Sequence, residues 1–233
     1  MRTLLETTRD RFLLALQYKD YRNLWIATTF SASAAWALII ARGWLAFELT
    51  DGSLWVGIVT FAAIAPRVVS TPIAGFLADR FDRQQLLRWI FALNMGNNIL
   101  LAVLAMNGLA GPWVLTFLAL ANGTLRASQM TIATALIPNL VPKDHLMNAI
   151  ALNQATQQGA RMVGALAIIP LLGFLNVEAA FWLCSGFYLF GFLQVSRVTT
   201  RSTGVIDKEQ GFLSNLFAGF VYVYKRPIIM SMV

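Results

Sequence analysis

Four arginines, Arg42, Arg67, Arg126 and Arg161, stand inside stretches that are otherwise almost wholly apolar. A guanidinium keeps its charge at any physiological pH and binds oxyanions through a planar fork of donors, so such a residue either attracts an anion or pairs within the fold. The same stretches contain no Asp or Glu: Glu48, Asp51 and Glu178 fall at their ends, and Asp79 and Asp82 in a connecting loop. Gln129 follows Arg126 by about one helical turn, while Asn153, Gln157 and Arg161 recur at i, i+4 and i+8 and so share one helix face. A polar seam of that kind more often binds another helix than a ligand, and the Asn94, Asn97 and Asn98 patch reads the same way. Covalent and metal chemistry find little material. The single histidine, His145, reads as a solvated loop residue, and the single cysteine, Cys184, lies in the apolar run AAFWLCSGFYLF. With no His-x-x-x-His or Cys-x-x-Cys spacing and no nucleophile-base pair in the apolar stretches, we expect no enzyme, no cofactor and no metal site.

The elements that must carry these residues are membrane spans. With 58% hydrophobic and 12% charged residues over 233, the chain has more apolar surface than one water-soluble core can bury. A helix needs about 20 mostly apolar residues to cross the hydrocarbon core. Six segments qualify, near 24–48, 54–77, 88–107, 112–136, 148–172 and 178–197, separated by breaks such as LTDGS, DRFDR, MNGLAGP and PNLVPKD. Charge tests this division independently. Arg2, Arg9, Arg11, Lys19 and Arg22 precede the first span; Arg80, Arg83 and Arg88 fill the second loop; Lys143 lies in the fourth; Arg197, Arg201, Lys208, Lys225 and Arg226 follow the sixth. The alternate loops carry no Lys or Arg, so the rule that basic loops stay in the cytoplasm predicts both ends of the six-span unit inside. The net charge of +7 is spread between apolar runs rather than gathered on one face, which argues against nucleic acid as a partner.

The fold expected is therefore all-α, a polytopic transmembrane helical bundle. Residues 1–23 read as a cytoplasmic amphipathic segment on the lipid surface, without a signal peptide, and 24–198 as the six-helix domain. Residues 199–226 read as a cytoplasmic central loop with an amphipathic helix, and 227–233 as the start of a seventh span cut short at Val233.

Between the second and third spans stands GFLADRFDRQQLL, Gly75 to Leu87. It resembles the signature loop of the major facilitator superfamily, with Gly75, Asp79, Arg80 and Arg83 matching; Asp82 replaces the usual second glycine and Gln84 the last basic residue. Gly75 and Asp79 share a helix face, where the small residue is expected to admit a neighbouring helix. Asp79 at a helix C-terminus opposes the dipole and needs a partner. YRNLW, GWLAFELTDGS, APRVVSTPIAG, ALIPNLVPKDHLMNAIALN and ARMVGALA further resemble the bacterial enterobactin and macrolide exporter branch, over most of residues 20–170. Ala165 and Met130 depart from that branch's pattern in the fifth and fourth spans.

The resemblance implies two three-helix repeats, a second six-span half as partner, and Asp79 latching the cytoplasmic side against that half. It implies a bacterial inner-membrane carrier, proton-driven and outward-directed, for a small molecule that the basic interior suggests is amphipathic or anionic. An importer of the same fold, or a six-span scaffold that transports nothing, are the alternatives. Candidate substrate or coupling residues are Arg126 and Gln129, on the span that lines the pathway in the family, with Arg42 and Glu48. Arg42 lies near enough to the outer surface to snorkel to it. Arg67 and Arg161 are read as structural. The interior offers no carboxylate for proton coupling; Glu48, near a mouth, is the nearest, and otherwise that group belongs to the other half.

Overall fold

The computed structural model describes residues 13–202, which form helices joined by short turns, with no strand among them. A 3-10 turn, Leu14–Gln17, leads into α1 (Lys19–Thr50), followed by α2 (Ser53–Ile64), α3 (Arg67–Arg80), α4 (Arg83–Met106), α5 (Pro112–Leu140), α6 (Lys143–Phe174) and α7 (Val177–Ser196). All six expected spans lie on these helices, with α2 and α3 forming one rod that Pro66 interrupts by removing a backbone donor. The helix that carries the first span begins earlier than the sequence suggests, since α1 already starts at Lys19, inside the segment read as a surface tail. With 32 residues it is longer than a crossing requires, and its first turn lies outside the apolar stretch 24–48. The amphipathic helix expected within 199–226 and the span expected at 227–233 lie outside the described residues, apart from 199–202.

Local chemistry sets the helix ends. α1 stops where Asp51 takes a left-handed conformation, φ 48°, which Asp tolerates better than most residues. α4 starts at Asp82, whose carboxylate accepts from the Gln84 and Gln85 amides at 2.9 and 3.1 Å. That cap gives a physical reason for Asp at a position where the signature loop has glycine. α4 ends before Gly108, at φ 69°, and α5 opens with Pro112 in its first turn.

α1 is the hub, packing against α2, α5, α6 and α7; α5 packs against α2, α3 and α4, and α4 against α7. Exchanging α1, α2–α3 and α4 with α5, α6 and α7 maps the main pairings onto one another, the pattern that two three-helix repeats produce. Small residues permit close approach. A Cβ on Gly123 of α5 would lie 2.2 Å from the Ala63 carbonyl oxygen of α2, and one on Gly164 of α6 would lie 2.3 Å from that of Ser33 in α1.

The outward faces are apolar: Val68 is 80% exposed, Phe61 71% and Phe174 89%. Water would not tolerate such a continuous surface, whereas lipid does. Four helical stretches, Lys19–Thr50, Ser53–Arg80, Arg83–Met106 and Val177–Ser196, are long and apolar enough to cross a membrane. α5 and α6, with 29 and 32 residues, have the length, but polar residues interrupt them and neither holds an equally apolar unbroken stretch. That polarity belongs to the site.

Candidate functional site

Arg42 of α1 lies between α4 and α5 and is only 2% exposed. It does not snorkel to the outer surface as the sequence suggested, because its side chain turns into the bundle. Nη1 donates to Asn122 Oδ1 at 3.2 Å and Nη2 to Asn98 Oδ1 at 3.4 Å. Asn122 in turn donates to Asn94 Oδ1 at 2.7 Å, and Asn98 to the Asn94 carbonyl at 2.8 Å. One guanidinium is thus held by a relay of three asparagines from α4 and α5, all neutral. Tyr188 and Cys184 of α7, both fully buried, close this cluster from behind.

Arg126, one turn along α5 from Asn122, has partners of its own. Nη1 donates to Ser31 Oγ at 3.3 Å and Nη2 to Gln157 Oε1 at 3.1 Å. Gln129 of the same helix donates to Ser31 Oγ at 2.6 Å, so Arg126 and Gln129 converge on one hydroxyl of α1. Gln157 is tied to Arg126 across α5 and α6, and Arg161, one turn further along α6, stacks on the Trp36 ring of α1 with 4.1 Å to its centroid. Asn153 borders a small pocket shared with Gln129 and Gln157. Through Gln157 and Arg161, then, the polar face of α6 meets α5 and α1. Arg67 is exposed at the start of α3, within electrostatic reach of Arg126. Glu48 is exposed near the end of α1 and joins neither arginine.

Arg42, Asn122 and Arg126 line one pocket of about 60 Å³, whose other walls include Ile39, Val59 and Ile64. Among the described residues no carboxylate bonds either guanidinium.

At the basic end of the bundle the arrangement differs. Arg83 donates to the Ala78 and Ala135 carbonyls at 3.0 and 2.8 Å, to Asn139 Oδ1 at 3.1 Å, to Ser202 Oγ at 3.3 Å and to Asp79 Oδ1 at 3.1 Å. Arg88 donates to the Ser196 carbonyl at 2.7 Å, and Gln84 to that of Val198. Asp20, in the first turn of α1, accepts from the backbone and hydroxyl groups of Thr199 and Thr200. Burial raises the Asp20 carboxyl, but these hydrogen bonds outweigh it and hold its pKa below the usual carboxylate value. Asp79 finds its partner in Arg83, while its side chain stays 44% exposed; Arg80 is exposed. Gly75 makes no close helix approach here: nothing among the described residues lies within 4 Å of a Cβ built on it. His145 is not a solvated loop residue either. It sits in the first turn of α6, with Nδ1 2.8 Å from the Tyr18 hydroxyl.

The family model described as "Transmembrane secretion effector", of the major facilitator transporters, matches residues 13–233. The chain belongs to that family. Relatives agree with the assignment. An uncharacterized MFS-type transporter, YfiS, of Bacillus subtilis is 19% identical over 218 residues, covering 91% of this chain and 51% of its own. Another, y4rN of Sinorhizobium fredii, is 25% identical over 218 residues, covering 90% and 52%. The Staphyloferrin A transporter of Staphylococcus aureus is 25% identical over 130 residues, covering 55% and 33%. This major facilitator chain spans about half the length of the first two relatives. Within it, sequence reasoning missed Asn122, Ser31, Trp36 and Tyr188, which complete the polar interior. Asn122 lies four residues before Arg126 and carried a usable signal, being a polar side chain on the same helix face. Tyr188 in an aromatic run carried none.

Proposed function

We propose that this chain forms one half of a secondary active transporter that exports a small amphipathic or anionic compound across a bacterial inner membrane. The observation that carries the reading is the pair of interior guanidinium groups, Arg42 and Arg126, held by neutral partners beside one pocket. An interior with cations and no carboxylate favours an anion over a cation as cargo. The relatives named as transporters support a carrier. Alternating access would rock this bundle against a second six-span half, with basic loops on the cytoplasmic side. Asp79, half-exposed beside Arg83, would latch the two halves on that side.

Proton coupling and outward direction rest on the resemblance to exporters, and the coupling carboxylate is assigned to the second half or to Glu48. Arg126→Ala in the full-length protein is expected to abolish export at unchanged expression, measured as efflux of labelled substrate from cells. Unchanged efflux would remove Arg126 from the pathway. Uptake into everted rather than right-side-out vesicles establishes the direction.

A further inference from the structure

Counting donors and acceptors around Arg42 leaves a one-sided remainder. Among the described residues, two buried donor atoms here have no partner, Arg42 Nε and Asn94 Nδ2. Arg42 is bonded to Asn122 and Asn122 to Asn94, so both belong to one connected cluster, and Arg42 is the one of the two that lines the pocket. Buried polar groups in folded proteins nearly always find a partner, and an unmet donor on the buried Arg42 cation calls for an acceptor. Gln129 Oε1 is an unpartnered acceptor near Arg126's partner Ser31, but one neutral carbonyl does not offset two full charges. Removing two cations from water without a counter-charge is costly, and a bound anion relieves that cost.

We propose that the pocket between α1, α2 and α5 binds one small monovalent anionic group, of carboxylate or halide size, between the Arg42 and Arg126 guanidinium groups. The pocket's volume of about 60 Å³ sets the size limit. A cavity needs about 10–15 Å³ of this kind of space to hold one water, so this one has room for a halide or a carboxylate but not for an anion as large as gluconate. The asparagine relay fixes the Arg42 fork while leaving its charge unneutralised, which is what an anion subsite requires. The inference deepens the anionic-cargo reading and rests on it for physiological meaning, but binding itself needs no transport.

The test is thermal unfolding of the full-length protein in detergent, titrated at constant ionic strength with sodium acetate, sodium chloride or sodium gluconate. Acetate is expected to raise the midpoint saturably, by roughly 3 °C, and gluconate, too large for the pocket, to leave it unchanged. An equal response to chloride identifies a free small anion as the ligand, and a response to acetate alone identifies the carboxylate of a larger molecule; either supports the site. Arg42→Met is expected to abolish the response. Ala35→Leu, which fills the pocket and keeps both arginines, should abolish it too, and serves if Arg42→Met does not fold. No response to acetate or chloride, or one that persists in Ala35→Leu, overturns the proposal. Loss of export in Arg126→Ala without any anion response would sustain the transporter reading and sink the subsite; an anion response with unchanged export in Arg126→Ala would sustain the subsite and remove Arg126 from the transport pathway.

Discussion

Arg83 at the basic end and Arg42 in the interior are the same residue type in two different electrostatic settings. Arg83 meets oxygens from α3, α5, Ser202 and the Asp79 carboxylate, whereas Arg42 meets two neutral amides and keeps an unpartnered Nε. The difference follows from position along the helices. Near a helix C-terminus, carbonyls lack intrahelical partners and the dipole favours a cation, so Arg83 and Arg88 tie helix ends together. In mid-helix those carbonyls are already engaged, and only side-chain amides remain. An arginine at the end of the bundle is therefore a clamp, while one in the middle retains charge to offer a ligand.

Removing the clamp is the largest perturbation expected. Arg83→Ala deletes contacts to three segments and is expected to destabilise the protein by about 3 kcal/mol. Arg83→Lys should recover only part of this, because an ammonium cannot span the same fork of acceptors. The measurement is the unfolding midpoint of each variant in detergent. A loss below about 0.5 kcal/mol for Arg83→Ala would reduce the clamp to an ordinary surface contact.

The interior yields to sterics before it yields to charge. Gly123 lines the pocket, and a Cβ there would lie 2.2 Å from the Ala63 carbonyl oxygen, so α5 must move away from α2. Gly123→Ala is expected to cost about 2 kcal/mol and to enlarge the space beside Arg126. Unfolding and the accessibility of a cysteine introduced at Ile64 report the two effects. Unchanged stability would mean that the helices separate freely at this point.

How much of the molecule is legible in its sequence depends on the kind of signal. Helix positions and the basic turns follow from hydropathy and charge, because lipid demands long apolar helices and tolerates charge mainly at their ends. The pairing of Arg126 with Gln157 and of Arg42 with Asn98 and Asn122 is not legible. Each joins residues on different helices, and spacing within one helix is silent about which neighbour a face meets. Arg42 shows the error in one residue. Its distance from the span end allowed snorkelling, but rotation about the α1 axis, set by packing on its neighbours, directs the side chain inward. Asp82 shows the opposite case: as a departure from the signature loop it has no explanation, and as a local helix cap, already written in the adjoining residues, it has one.

The smallest expected effect lies at Asp20, which joins the first turn of α1, outside the apolar stretch, to the segment after α7. Its hydrogen bonds hold its pKa below the unfolded value, so the folded state binds the proton less readily than the unfolded state. The stabilisation from its charge is therefore fully present above the unfolded carboxylate value, about 3.9, and is lost as pH falls through the folded value. Asp20→Asn keeps an acceptor and removes the charge. The midpoint difference between wild type and Asp20→Asn is expected to be constant from neutral pH down to about pH 5 and to close below it. A difference that stays constant down to about pH 3 would assign the whole contribution to hydrogen-bond geometry. In that case the charged clamp at the basic end would begin and end with Arg83, Arg88 and Asp79.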